Sequence, residues 1–100
     1  MEVIIEKQNR VVTAYMKGRL DTLASQEIID QIEGLAKEAS NTIVLDCTEL
    51  AYISSSGLRL FLTLRKAAGE KGGKVVIRGI NNDIRGVFMM TGFLNLFEIQ

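Results

Sequence analysis

The sequence predicts a single α/β domain over residues 1–100, with a mainly parallel central sheet and an N-terminal antiparallel hairpin. Three observations support this prediction. Segments rich in β-branched residues alternate with segments of helical period, in the order β-β-α-β-α-β-α-β. The 100 residues, 47% of them hydrophobic and 24% charged, can form one core but not two. No proline, linker or internal repeat interrupts this pattern.

The first half of the chain contains three predicted strands and one predicted helix. Residues 2–7 and 11–17 flank a polar turn, which predicts the antiparallel hairpin. Asp21 or Thr22 is a suitable N-cap for the helix that follows. The short apolar run 42–47 predicts a central strand that is covered on both faces. The helix is predicted from apolar residues at helical spacing: Leu23, Ile28, Ile29, Ile32, Leu35, Ala36 and Ala39.

The second half contains two further helices and two further strands. A helix predicted at 54–68 ends before a glycine-rich segment, and a buried strand follows at 74–78. A third helix has its N-cap among residues 81–83 and stops at Gly92, after which 94–99 is apolar enough for an edge strand. The core is expected to contain Leu45, Phe61 and Phe88. Core packing is also preferred to a partner surface for Met89, Met90, Phe93 and Phe97.

Composition excludes several classes of function. The 12 basic and 12 acidic residues balance, so neither a nucleic acid nor an anionic membrane is an expected partner. The N-terminal residues lack the basic and apolar regions of a signal peptide, and no apolar run could span a membrane, so we expect a cytoplasmic protein. Histidine is absent, which removes the usual base of a hydrolase and the commonest metal ligand. The single cysteine, Cys47, is expected to be a small buried hydrophobe rather than a reactive thiol.

Three consecutive serines, Ser54, Ser55 and Ser56, lie between a predicted buried strand and a predicted helix. Partners and ligands of parallel α/β sheets usually bind at this edge, beyond the carboxyl ends of the strands. The free N–H groups and dipole of the helix start would stabilise an anion on a serine by about 0.3–1 kcal/mol. Alternatively, the serines only cap the helix, because serine is among the best N-cap residues. From the residues alone, both interpretations remain open.

Four ordered blocks then suggest a family: GRLD at 18–21, IVLD at 43–46, YISSSGL at 52–58 and FMMTGF at 88–93. Together they resemble the STAS-domain anti-sigma-factor antagonists over nearly the whole chain. In that family the second residue of an Asp-Ser-Ser/Thr-Gly-Leu or Ser-Ser-Ala-Gly-Leu motif is phosphorylated. The resemblance therefore implies Ser55 as the acceptor, with Ser56 and Ser54 as substitutes. Ser54 stands where the first motif has Asp, which is a departure from that motif.

The resemblance also implies partner-binding residues around the acceptor. Asp21 matches an acidic residue that the family uses in kinase recognition. By mechanism alone a helix N-cap is the preferred role, and the two roles are compatible. Ser54 and Ser56 flank the acceptor. Gly57 either lets the backbone of a partner approach or eases the tight entry into the helix. Arg59 either borders the acceptor or belongs to the solvated face of the helix.

The function implied by the resemblance is a switch without catalytic activity. The unphosphorylated chain would bind an anti-sigma factor that is itself a serine kinase and thereby release sigma factor. No cofactor is expected on this chain, because ATP would be bound by the kinase. A PP2C-type phosphatase would act on the phosphorylated form and restore the unphosphorylated one. One alternative is a STAS module of another signalling, secretion-linked or lipid-transport assembly. A serine hydrolase is a remote alternative, since Gly-x-Ser-x-Gly and histidine are both absent.

Overall fold

The computed structural model describes all 100 residues and contains a five-stranded sheet with four α-helices. The strands are β1 Glu2–Gln8, β2 Val11–Leu20, β3 Thr42–Ile53, β4 Lys74–Arg78 and β5 Glu98–Ile99. The helices are α1 Thr22–Glu27, α2 Ile29–Lys37, α3 Ser55–Lys71 and α4 Asn82–Thr91, and a 3₁₀ turn follows at Phe93–Asn95. None of the helices combines the length and apolar character needed to cross a membrane.

The strands lie in the sheet in the order of the sequence, β1-β2-β3-β4-β5. β1 is antiparallel to β2, and all the other neighbouring pairs are parallel. The predicted hairpin and mainly parallel sheet are therefore confirmed. In such an order, crossovers of the usual right hand place every helix on the same face of the sheet. The helices therefore cover one face of the predicted central strand rather than both, although Val44 on its other face is also buried.

The core lies between the helices and the inward side chains of the sheet. Ile43, Leu45 and Cys47 alternate inward along β3, and Phe61 of α3 and Phe88 of α4 pack above the sheet. The rings of Phe61 and Phe88 meet edge to face, with their centroids 6.4 Å apart. The predicted burial of Leu45, Phe61, Phe88 and Cys47 is confirmed, and burial raises the pKa of the Cys47 thiol to about 12, with a further contribution from the Asp46 charge.

The opposite face of the sheet has a different character. Val44 and Val76 are buried there but lie outside the core cluster. Arg78 on β4 donates from Nε to Oδ2 of Asp46 on β3 at 2.8 Å. Burial alone would raise the pKa of Asp46, but hydrogen bonds from Arg78 and Thr48 outweigh it, so that pKa lies below its usual value. This ion pair joins the two central parallel strands.

β2 and β3 are both longer than the sequence predicts. The expected strands stop at residues 17 and 47, whereas the observed ones continue together to the register pair Leu20 and Ile53. Two irregularities in this pairing each insert one extra residue into β3. The inward residues Cys47, Leu50 and Ile53 are consequently spaced by three instead of two. This spacing hides the strand from an analysis that looks for strict alternation.

The helical segments also differ from the prediction in detail. The first predicted helix is divided at Ile28, whose φ of −98° and ψ of 6° interrupt it between α1 and α2. The division leaves Leu23 and Ile29 exposed rather than inward. α3 continues through Gly69 and ends at Gly72, which adopts the left-handed conformation at φ 84°.

The region around α4 contains two further corrections. Asn81 is the N-cap of α4, and its Oδ1 accepts a hydrogen bond from the Ile84 N–H at 2.8 Å. Met89 and Met90 do not pack in the core, since they are 66% and 88% exposed. Phe93 and Phe97 are buried as expected. The edge strand predicted at 94–99 is only the two-residue β5, because the 3₁₀ turn occupies its first half.

Truncation of Leu45, Phe61 or Phe88 to alanine should lower the free energy of unfolding by about 2–5 kcal/mol, because each leaves a cavity in a fully buried site. Chemical denaturation followed by circular dichroism measures this change. Leu62→Ala, on the solvent side of α3, is the control and should cost less than about 1 kcal/mol. Unchanged unfolding midpoints in all three core variants would contradict this core.

Candidate functional site

The candidate site forms where β2 and β3 end side by side. Leu20 and Ile53 are register partners at the carboxyl ends of these strands. The Ser54 N–H donates to the Leu20 carbonyl oxygen at 2.9 Å, which extends the pairing by one more bond. Asp21 and Ser54, the next residues of the two strands, are therefore held next to each other at the same edge of the sheet.

Ser54 is the N-cap of α3. Its backbone is extended, with φ −91° and ψ 171°, and its Oγ accepts a hydrogen bond from the Gly57 N–H at 3.2 Å. Its carbonyl oxygen accepts the first intrahelical bond, from the Leu58 N–H at 2.9 Å. Ser54 therefore has the structural role that the sequence offers as one interpretation of the serine cluster.

Ser55 is the first residue of α3, and it is exposed. Its hydroxyl makes no hydrogen bond within the protein, and the backbone N–H groups of Ser55 and Ser56 also lack protein acceptors. Ser56 is half-buried. Ser55 is thus the most accessible hydroxyl of the three.

Asp21 is the N-cap of α1. Its Oδ1 accepts a hydrogen bond from the Ala24 N–H at 2.8 Å, and its carbonyl oxygen accepts bonds from both the N–H and the Oγ of Ser25. The residue is nevertheless exposed, and its Oδ2 has no partner within the protein. The geometry is compatible with both roles of Asp21, because the capping oxygen is occupied and the other oxygen is free.

Gly57 is buried beneath the first turn of α3. A Cβ at this position would lie 2.8 Å from Leu20 Cγ and 2.9 Å from Ile53 Cγ1, which is closer than real Cβ atoms approach other carbons. The missing side chain is therefore explained by packing inside the domain. The approach of a partner backbone to this glycine stays a prediction.

Arg59 lies one turn after Ser55 on α3. It is exposed, and its side chain forms none of the four ion pairs of the protein. Residues four apart are neighbours on a helix surface, so Arg59 lies on the same side of α3 as Ser55. Arg59 therefore lies beside Ser55 on the exposed side of α3, and its role in binding a partner stays a prediction.

Three features of this edge are not predicted from the sequence. The Arg19 guanidinium lies over the Tyr52 ring, 4.4 Å from its centroid, as a cation–π pair between β2 and β3. Leu23, next to Asp21, is 64% exposed. A shallow groove of about 340 Å³ runs beside these residues, lined by Met1, Arg19, Asp21, Leu23, Ala24 and Glu27. No local signal marks Arg19 and Tyr52 as partners, since they pair only because β2 and β3 continue beyond their predicted ends.

Comparison with known families agrees with this geometry. The family model described as STAS domain matches residues 2–100, which confirms the resemblance inferred from the four sequence blocks. BtrV of Bordetella bronchiseptica, named as a candidate anti-sigma factor antagonist, is 26% identical over 99 residues, covering 99% of this chain and 85% of BtrV. An anti-sigma-B factor antagonist of Listeria monocytogenes is 22% identical over 97 residues, covering 97% of this chain and 85% of that protein.

Solved structures show the same fold. The anti-sigma factor antagonist SpoIIAA of Bacillus, in its unphosphorylated form, superposes with a TM-score of 0.76 at 21% identity, covering 99% of this chain and 87% of that one. The phosphorylated form of SpoIIAA gives a TM-score of 0.75 at 22% identity, with coverage of 99% and 91%.

Gly57→Ala should lower the free energy of unfolding by about 1–3 kcal/mol, because its methyl group overpacks Leu20 and Ile53. Gly69→Ala is the matched control in the same helix, where an added Cβ meets no atom within 4 Å. That control should raise the free energy of unfolding by about 0.5–1 kcal/mol. Guanidinium denaturation measures the free energy of unfolding of both variants. An equal increase in Gly57→Ala and Gly69→Ala would show that Gly57 is not packed as described.

Proposed function

The chain belongs to the STAS domain family, and from this premise we propose that it is an anti-sigma-factor antagonist that acts by partner switching. The unphosphorylated protein binds an anti-sigma factor and thereby releases sigma factor for transcription. The names of its relatives support this function. The observation on which it depends most is the free, exposed hydroxyl of Ser55 at the carboxyl edge of the sheet.

The anti-sigma factor in this proposal is a serine kinase that binds ATP and transfers the γ-phosphoryl group of ATP to Ser55. The antagonist supplies the acceptor hydroxyl, and the kinase supplies the base and the nucleotide, because no group of this chain accepts the Ser55 proton. The free Oδ2 of Asp21 is available to orient a cation of the kinase beside the acceptor. A phosphatase of the PP2C type completes the cycle by removing the phosphate.

The hydrogen bonds of the serine cluster support Ser55 as the acceptor. Ser54 Oγ is already engaged with the Gly57 N–H, so its phosphorylation would disturb the helix cap. Ser56 is half-buried and faces more of the domain than Ser55 does. Phosphorylation of Ser55 disturbs neither the cap nor the packing, because its side chain contributes to neither.

The charge of the phosphate explains release of the partner. Phosphorylation adds about 1.5–2 negative charges and three acceptor oxygens, which are well solvated in water. A close interface would have to remove that water, and it would repel the new charge unless the kinase offered a cation. A penalty of about 3–4 kcal/mol would weaken binding by two to three powers of ten. No change of fold is needed for this effect.

Ser55→Ala should bind the anti-sigma-factor kinase with the affinity of the wild type but should not be released on addition of ATP. Ser55→Asp should bind the kinase more weakly than the wild type but more tightly than the phosphorylated protein, because one carboxylate has less charge than a phosphate. Isothermal titration calorimetry with the kinase from the source organism measures both affinities, and mass spectrometry locates the phosphate. Ser56→Ala is the control and should be phosphorylated on Ser55 and released normally.

Two results would contradict this proposal. Phosphate found on Ser56 or Ser54 in the wild type would place the acceptor elsewhere in the cluster. Equal affinity of the kinase for the phosphorylated and unmodified proteins would exclude the switch and would favour a STAS module with a purely scaffolding role.

A further inference from the structure

The two arginines of α3 differ in their surroundings. Arg65 donates from Nε to the carbonyl oxygen of Leu96 at 2.8 Å, which ties it to the segment before β5. Arg59 is exposed, and no protein group accepts a hydrogen bond from its side chain or forms an ion pair with it. Arg59 is therefore a free cation, and the fold provides no structural reason for it.

The position of Arg59 relative to Ser55 is favourable for an ion pair. Residues at i and i+4 have Cβ atoms about 6 Å apart on a helix surface. Helical side chains also lean toward the N-terminus, so a long side chain at 59 extends over the turn that begins with Ser55. An anion at i with a cation at i+4 is the better of the two orders. The planar guanidinium can donate two parallel hydrogen bonds to phosphate oxygens.

We propose that Arg59 is the intramolecular counter-ion of a phosphoserine at position 55. The inference rests on the proposed function only for the identity of the modified residue. In the unmodified protein the guanidinium is free at the edge that faces a partner. In the phosphorylated protein it pairs with the phosphate of its own helix. Phosphorylation thus adds an anion to this edge and at the same time occupies a cation that a partner carboxylate could otherwise use.

Phosphoserine can be introduced at position 55 by genetic encoding, which makes the test independent of any kinase. The readout is the second pKa of the phosphate, ordinarily about 6, followed by ³¹P NMR as a function of pH. An adjacent cation favours the dianion and lowers this pKa. Arg59→Gln should therefore raise it by about 0.3–0.5 units at low ionic strength, and the difference should shrink in about 1 M salt.

Lys66→Gln is the matched control. It removes the same charge from the same helix, and Lys66 is exposed and free of ion pairs. It lies eleven residues from Ser55, about three turns and 16 Å along the helix, beyond the range of a direct pair. The proposal predicts no shift greater than about 0.1 units in this variant at about 0.1 M salt.

An unchanged phosphate pKa in Arg59→Gln, or equal shifts in Arg59→Gln and Lys66→Gln, would overturn the ion pair. Either result concerns the phosphoserine in the isolated protein. It would leave open whether a kinase phosphorylates Ser55, which the calorimetry and mass spectrometry decide separately.

Discussion

The parallel pairing of β2 with β3, which continues past two bulges, is the constraint on which the rest of the molecule depends. This pairing reaches the register partners Leu20 and Ile53, so both strands end at the same point. The helices that follow begin with the N-caps Asp21 and Ser54, and Gly57 allows the first turn of α3 to pack against both strand ends. A slip of one residue would exchange inward and outward side chains along the strand and would separate the two caps.

This constraint also explains why Ser55, the proposed acceptor, could be modified at little structural cost. Ser54 provides the cap and Gly57 provides the close packing, so Ser55, which lies between them, has no structural task. The N–H groups at the start of α3 and the free Arg59 make the surroundings of Ser55 favourable to negative charge. In the proposed switch, the fold would therefore tolerate a phosphate on Ser55, and the cost of the charge would fall on the interface with a partner.

The sequence predicts the order of strands and helices along the chain, the hairpin and the position of the serine cluster because these depend on local patterns. It does not predict the full length of β3, because two bulges change the spacing of Cys47, Leu50 and Ile53 from two to three. The pairing of Arg19 with Tyr52 depends on that same hidden extension. The exposure of Met90 could not be predicted either, since apolar character alone does not reveal which helix face the sheet covers.

Hydrogen exchange tests most directly whether a phosphate on Ser55 acts on a preformed surface. The amides of the unmodified and Ser55-phosphorylated proteins would be compared by NMR. If the edge is preformed, the Ser54 and Leu58 amides, which donate to Leu20 and Ser54, keep their protection, and changes are confined to residues 55–57. Loss of protection along β2 and β3 would contradict this mechanism, because it would mean that phosphorylation releases the partner by opening the fold.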